Sequence, residues 1–474
     1  EAVRQTISSS GGAVVFAGGT VIIALSALML AGFPVLTALG WITGISVVCA
    51  VLTSITLVPA LLGILGHRIN ALRMPFFGRS GTDGSGWARL SDWVAGRPWR
   101  VLLITTAVLA ALTVPAAGLK LGSLDDGYGD KNTPYRRAYE LLEAGFGPGA
   151  NGPIIVVAKV GEQVDEDDKI VSTVKRRIER VDGVSYVMDP QINENGRSLL
   201  IQVLPDYAPS DARTIDVVKA IRALDIPGVE LHVGGKVAGL ADASDQIVER
   251  TPIVVGVVVL LSALLLLLAF RAPIIALKAA VMNLVSLGAA FGTLAVVFSV
   301  GLGSSLIGMD PPPSVEGAYL ETLFFTVPIE RYVPLMLFAV LFGLSMDYEV
   351  FLLTSVRQAY ARHGDNRRSV AEGLGATGRV ITSAALIMVA VFTAFIAYPD
   401  PLVKVFGVGL AAAIAVDATI IRGFLVPSTM VLLGRWNWWI PRWLDRILPN
   451  LAIEGAEETA ERPVREPDLA ATAR

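Results

Sequence analysis

The sequence predicts a polytopic α-helical membrane protein that carries one α+β domain outside the bilayer. Three observations predict it: eight apolar runs, charge that changes sign between successive loops, and about 130 polar residues between the third and fourth runs. A hydrocarbon core of ~30 Å is crossed by about 20 helical residues, and each run reaches that length or nearly so. The chain of 474 residues is 53% hydrophobic and 17% charged, which places it among membrane proteins before any motif is considered.

The expected spans are Ala13 to Ala31, Val35 to Leu65, Val101 to Leu119, Pro252 to Phe270, Ile274 to Val300, Val333 to Ser355, Val380 to Ala397 and Leu402 to Leu433. Eight is even, so both ends of this chain share a side. Arg68, Arg73, Arg79, Arg89, Arg97 and Arg100 outnumber Asp83 and Asp92 between the second and third spans, which assigns that loop to the cytoplasm. The same bias recurs at Arg271 and Lys278, at Arg357, Arg362, Arg367, Arg368 and Arg379, and at Arg435, Arg442 and Arg446. Opposite segments carry Asp125, Asp126 and Asp130, then Asp165 to Asp168, then Glu316, Glu321 and Glu330. The expectation is a multi-pass protein of the cytoplasmic membrane, with both termini of this chain cytoplasmic.

The polar stretch alternates strand and helix patterns. PIIVVAKV and RSLLIQVLP are rich in branched apolar residues at strand spacing, DKIVSTVKRRIERV and ARTIDVVKAIRAL have helical spacing, and VELHVGG closes the series. A β-α-β-β-α-β order suggests a split, ferredoxin-like sheet, with turns at Asp182-Gly183 and Asn195-Gly196. The last residues, IEGAEETAERPVREPDLAATAR, lack apolar periodicity and read as a disordered cytoplasmic tail.

An internal repeat organises the rest. AVRQTISSSGGAVVFAG matches SVAEGLGATGRVITSAA in spacing, and LTSITLVPALLGILG matches ATIIRGFLVPSTMVLLG. The offset is 367 at Gly11 and Gly378 (378 − 11) and 368 at Pro59 and Pro427 (427 − 59), a slip of one residue. Same-sense repeats in a membrane protein imply a pseudo-two-fold axis along the membrane normal. The chain then divides into the last two spans of a first half (1–66), a cytoplasmic linker (67–100), one span (101–119), the outer domain (120–251), a five-span bundle (252–434) and the tail (435–474). The opening EAVRQTISSSGG has no initiating Met and no signal peptide, so an upstream part of the first half is expected.

The residues with chemistry lie in LFGLSMDYEVFLLTSVR. Arg357 is ten residues past Asp347, which places Asp347 about 15 Å deeper at 1.5 Å per residue, near the bilayer midplane. An ionised Asp there costs about 2.5–3.5 kcal/mol, so the carboxyl is expected to be protonated, paired or wet, each of which makes it a titrating group. Gly343, four residues earlier, permits close approach of a neighbouring helix, and Tyr348 offers a hydroxyl for proton relay. Glu349 points about 200° away and is expected at the periphery. Asp417 and Arg422, five residues and about 140° apart, form either a coupling site or a structural ion pair; their repeat equivalents near Cys49 and Ser54 are uncharged.

Other chemistries lack their residues. The sequence contains no phosphate loop, its three histidines (His67, His232 and His363) have no metal-ligand spacing, and its single cysteine, Cys49, permits no intramolecular disulfide. The net charge of −3 disfavours nucleic acid as a partner, and no cofactor or metal is expected. Asp347 and Asp417 are formally the pair an intramembrane aspartyl protease needs, but the neighbouring signature is missing, so no enzymatic activity is expected. Trp436, Trp438, Trp439 and Trp443 read as an interfacial belt.

FGLSMDYEVFLLTSVR, GDNRRSVAEGLGATGRVITSAA, VDATIIRGFLVP and VGGKVAGLADAS together resemble the MMPL family, the mycobacterial membrane protein large transporters of the resistance-nodulation-division superfamily. The resemblance covers nearly the whole chain. It implies twelve spans in the intact protein, two outer porter domains, and proton-driven export of lipids or other hydrophobic compounds. It further implies that Asp347 and Tyr348 form the proton-relay pair, that a matching Asp-Tyr pair lies upstream of this chain, and that Gly234 and Gly235 stand at the porter stalk. This chain alone would then be inactive, requiring its N-terminal half. The partners implied are protons, membrane lipids and a hydrophobic substrate. Superfamily members of similar architecture also include non-transporting regulators and sterol-sensing receptors, the alternative class.

Overall fold

The computed structural model describes residues 2–65, 85–311 and 325–448. His67, Arg68, Arg73, Arg79, Asp83, Glu316, Glu321 and the tail from residue 453 lie outside the described residues.

Eight helical segments among the described residues are long and apolar enough to cross a membrane, and a small sheet region stands apart from them. In chain order the spanning helices begin with α1 (Ala2–Ser26) and α2 (Pro34–Leu65). A short helix, α3 (Ser85–Gly96), leads to the third span, α4 (Pro98–Thr113). After the outer domain come α8 (Lys236–Phe270), α9 (Pro273–Leu294), α10 (Val333–His363) and α11 (Asn366–Ile396). The eighth span is a composite of α12 (Pro401–Val416), a π-helical segment (Asp417–Leu425) and α13 (Val426–Leu433).

Several helices run beyond their apolar stretches. Helix α8 starts at Lys236, well before the expected Pro252, because Val237, Ala238, Ala241, Ser244 and Ile247 form a buried stripe at helical spacing. Helix α11 starts at Asn366, where the Asp365 carboxylate caps it by accepting from Arg367 N at 2.9 Å. Lys278 is not in a turn, as its charge suggested; Pro273 at the first position of α9 starts the helix early enough to place Lys278 within it, half-buried with its Nζ enclosed. Trp438 of the expected belt stacks on Tyr360, with centroids 5.6 Å apart.

The outer domain contains α5 (Pro134–Phe146), β2 (Ile154–Val160), α6 (Lys169–Glu179), β3 (Val184–Val187), β4 (Gln191–Ile192), β5 (Ser198–Pro205), α7 (Ala212–Arg222) and β6 (Val229–Gly234), preceded by β1 (Leu121–Gly122). Its sheet runs β3-β5-β2-β6 with every neighbour antiparallel, and β4 also pairs with β5. Alternate residues Ile154, Val156, Ala158 and Val160 of β2 turn inward beside Leu199, Ile201 and Val203 of β5, and α6 and α7 cover them with Val174, Ile178, Val218 and Ile221. Gly183 and Gly196 adopt φ of 84° and 63°, left-handed values that suit glycine at these two turns. Helix α5 and the two-residue β1 escaped the periodicity reading, since neither presents a run of apolar residues.

The internal repeat reappears as a repeated contact. A Cβ added at Gly40 of α2 would lie 2.8 Å from the Leu25 carbonyl of α1, and one at Gly407 of α12 would lie 2.9 Å from the Phe392 carbonyl of α11. Both members are offset by 367 (407 − 40 and 392 − 25), so the same backbone approach is built twice. The slip to 368 therefore falls between Gly407 and Pro427, the interval that holds the π-helical segment. Helix α2 has no such segment. An i→i+5 turn accommodates one more residue than an α-helical turn, so the extra residue of the second copy is absorbed there.

Close helix approach yields a direct prediction. A Cβ at Gly292 would fall on the Leu112 carbonyl of α4, whereas one at Gly256 meets nothing within 4 Å. Gly292→Ala is expected to destabilise the fold by about 1–3 kcal/mol through overpacking, visible as a lowered thermal unfolding midpoint in detergent, while Gly256→Ala leaves it unchanged.

Candidate functional site

Helix α10 occupies the middle of the bundle, packed against α1, α8, α9, α11 and α12. Asp347 lies near its midpoint, 14 residues after Val333 and 16 before His363. Because neighbours enclose α10, the face opposite Asp347 is not peripheral. Glu349 is only 4% exposed, which corrects its expected water-facing position.

On one side stands α1. The Thr20 hydroxyl lies 3.2 Å from Asp347 Oδ1 and 2.6 Å from the Ala17 carbonyl, two acceptors for its single proton. A Cβ on Gly343 would meet Val21 Cα at 3.1 Å, so glycine sets how closely α1 approaches the carboxyl. Tyr348, next along α10, donates from its hydroxyl to Met388 Sδ of α11 at 3.3 Å. Its ring lies beneath the Arg422 guanidinium, 4.8 Å from Cζ to the centroid. In this arrangement the Tyr348 hydroxyl faces a thioether, a weak acceptor that carries no proton onward.

On the other side is a network that the α-helical angle of 140° did not foresee. Asp417 and Arg422 bond directly, Nε to Oδ2 at 3.0 Å and Nη2 to Oδ2 at 2.8 Å, because the π turn stacks residues five apart. Ser345 of α10 joins them: its hydroxyl lies 3.0 Å from Asp417 Oδ2 and 2.7 Å from Asn283 Oδ1 of α9, and its carbonyl accepts from Arg422 Nη2. Glu349 and Lys278 lie within electrostatic reach of each other, and Glu349 is also within reach of Asp417 and Arg422. Glu349 Oε1, Lys278 Nζ, Arg422 Nη1 and Asn283 Nδ2 are buried with no protein hydrogen-bond partner. Two cavities of about 10 Å³ adjoin these groups, one lined by Asn283, Ser286, Ser345, Tyr348 and Asp417, the other by Glu349, Asp417 and Arg422. Each is on the scale of a single water, the usual partner of such atoms.

Sequence reasoning had singled out Asp347, Tyr348, Gly343, Asp417 and Arg422, and all five stand around one stretch of α10. Thr20, Asn283, Ser345 and Lys278 were not singled out. Only Lys278 carried a usable signal, a cation five residues inside an apolar helix. Gly234 and Gly235 lie elsewhere, Gly234 as the last residue of β6 and Gly235 as the link to α8; Gly235 has φ of 95° and ψ of 176°, a conformation that belongs to glycine. Among the described residues no cluster of His, Cys, Asp and Glu has the arrangement of a metal site.

Two substitutions probe the network. Arg422→Met strands a buried carboxylate and is expected to lower stability by about 3–5 kcal/mol, whereas Asp417→Leu combined with Arg422→Met recovers most of that loss. Denaturant or thermal unfolding of the single and double variants measures the difference. Thr20→Val removes one hydrogen bond to Asp347 at nearly constant volume, and its cost is expected to stay within about 0.5–1.5 kcal/mol.

Comparison with known proteins places this chain in a family. The model of the MMPL family matches residues 1–101, 128–309 and 318–450. Membrane protein YdfJ of Bacillus subtilis is 34% identical over 462 residues, 97% of this chain and 62% of YdfJ. The heme uptake protein MmpL11 of Mycobacterium tuberculosis is 34% identical over 483 residues, 99% of this chain and 47% of that protein. The mycolic acid-containing lipids exporter MmpL11 of Mycolicibacterium smegmatis is 34% identical over 469 residues, 96% of this chain and 47% of that protein. The chain thus spans between about half and three-fifths of the length of these relatives. With eight apolar spanning helices and these transporter relatives, the chain is a multi-pass membrane protein that belongs to the MMPL family.

Proposed function

We propose that the protein to which this chain contributes is a proton-driven exporter of lipids or other hydrophobic compounds across the cytoplasmic membrane. The carrying observation is an acid at the middle of a spanning helix, Asp347, held by Thr20 of a repeat helix and close to a buried network of opposite charges. An acid so placed is functional by default, because a structural role is filled more cheaply by a neutral side chain. Asp347 takes a proton from the outer side and releases it inward, and its charge state biases the packing of α1 against α10. Tyr348 joins the relay by leaving Met388 and turning its hydroxyl toward the carboxyl.

Lipid as substrate rests on the M. smegmatis relative, named for exporting mycolic acid-containing lipids. The M. tuberculosis relative is named for heme uptake, which supports a second reading with inward movement of a hydrophobic cofactor. The outer domain is proposed as a ferredoxin-like porter domain. Its helix-strand order and the sheet order β3-β5-β2-β6 support that reading, and Gly234 and Gly235 serve as its stalk. Twelve spans in the whole protein, a second Asp-Tyr pair upstream and cytoplasmic termini complete the proposal. Arg357 of α10, which donates to the Ala269 carbonyl near the C-terminal end of α8 at 3.2 Å, supports the orientation.

Asp347→Asn keeps the shape and the hydrogen bond from Thr20 but removes titration. In liposomes holding the full-length protein and a pH-sensitive dye, this variant is expected to abolish proton flux driven by a pH gradient. Unchanged flux in the variant would falsify the relay, and absence of flux in the unmodified protein would favour a non-transporting regulator.

A further inference from the structure

The outer domain leaves the membrane through one connection and re-enters through another, and the two are built differently. Re-entry is a single continuous helix, since β6 passes through Gly235 straight into α8. The departure is a clasp. After α4, the Lys120 amide donates to Ser299 Oγ, 2.9 Å away, in the π-helical turn Ala295–Ser299 that continues α9. The strand β1 that follows pairs in parallel with β7 (Ile329–Glu330), the two residues that lead into α10. The Ile329 amide donates to the Lys120 carbonyl at 3.0 Å.

The Glu330 carboxylate closes this clasp. Its Oε1 accepts from the Leu124 amide at 2.7 Å and from the Ser123 hydroxyl at 3.3 Å. A Cβ on Gly122 would sit 2.8 Å from Pro328 Cβ, so glycine in β1 leaves room for the proline ring that precedes β7. A second anchor lies nearby: Arg136 of α5, wholly buried, donates through Nη2 to the Pro311 carbonyl at 3.0 Å, and through Nη1 to the Gly127 carbonyl. Both anchors fasten the start of the outer domain to the connection between α9 and α10.

We infer that Glu330 is a positioning residue that locks the outer domain to the outer ends of α9 and α10, so that displacement of the Asp347 helix is delivered to the domain through β1. The proposal deepens the transport reading by naming its mechanical link and rests on that reading for its purpose. A parallel pair of two residues has too few hydrogen bonds to hold alone, and the two acceptor contacts of Glu330 supply what the ladder lacks. The carboxamide of Glu330→Gln keeps an acceptor oxygen in place, whereas Glu330→Ala removes both contacts.

The test uses the full-length protein in liposomes with Cys49→Ala and spin labels at Ala138 on α5 and Leu306 in the loop between α9 and α10, both exposed. The unmodified clasp is expected to give one narrow distance distribution, Glu330→Ala at least a doubled width, and Glu330→Gln a return to the narrow form. Equal widths in the folded Ala variant and the unmodified protein overturn the clasp, as does a Gln variant as broad as Ala. The result is independent of Asp347→Asn: persistent proton flux there would remove the relay while the distances still decide the clasp.

Discussion

Everything in the bundle depends on neutralising charge where water is scarce. Helix α10 carries Asp347 and Glu349 through the centre of the bundle, and the neighbours that surround it supply cations, Arg422 from the last span and Lys278 from α9. A buried charge is tolerated only when it is paired or hydrogen-bonded. The spans that touch α10 are therefore constrained in rotation as well as position. The exposed surfaces of α2 and α4 show the contrast, with Leu, Ile and Val that carry no charge and impose no such order.

The sequence was most legible where length and periodicity were decisive. Eight spans stood out because a hydrocarbon core imposes a minimum run, and β2, β5, α6 and α7 stood out because one face of each is apolar. Helix ends were less legible: the N-terminal extensions of α11 and α8 are held by capping and by packing stripes on otherwise polar sequence. That Asp347 falls well inside a spanning helix followed from residue counting alone. The burial of Glu349 did not, since direction around a helix axis says nothing about which faces have neighbours. Thr20 and Ser345 were invisible for a related reason, because a single hydroxyl in an apolar helix has no pattern.

Two kinds of contact join the parts of this protein. Within the membrane, glycine lets backbones meet, at Gly40 and Gly407 in the repeated pair and at Gly292 between α4 and α9. At the outer edge, polar side chains take over: Glu330 and Arg136 bind backbone groups of a neighbouring segment, and Lys404 Nζ donates to the Ile307 carbonyl at 2.6 Å and the Ile396 carbonyl at 3.0 Å. The change of method follows the change of solvent. In hydrocarbon the backbone is already satisfied and association rests on close packing, whereas loops leave carbonyls and amides that need partners.

The π-helical segment behaves as a dislocation does in a crystal. One inserted residue would turn every later side chain of an α-helix by about 100°, and Pro427 would then face a different neighbour from its copy, Pro59. The wider turns confine that mismatch to Asp417–Leu425, leaving Gly407 upstream in its inherited contact. A defect of this kind gives the second half an acid and a base in register that the first half lacks, with the packing upstream preserved. The two copies of the helix pair thus share a backbone approach, while the buried ion pair belongs to the nine residues of the second copy's π-helical segment alone.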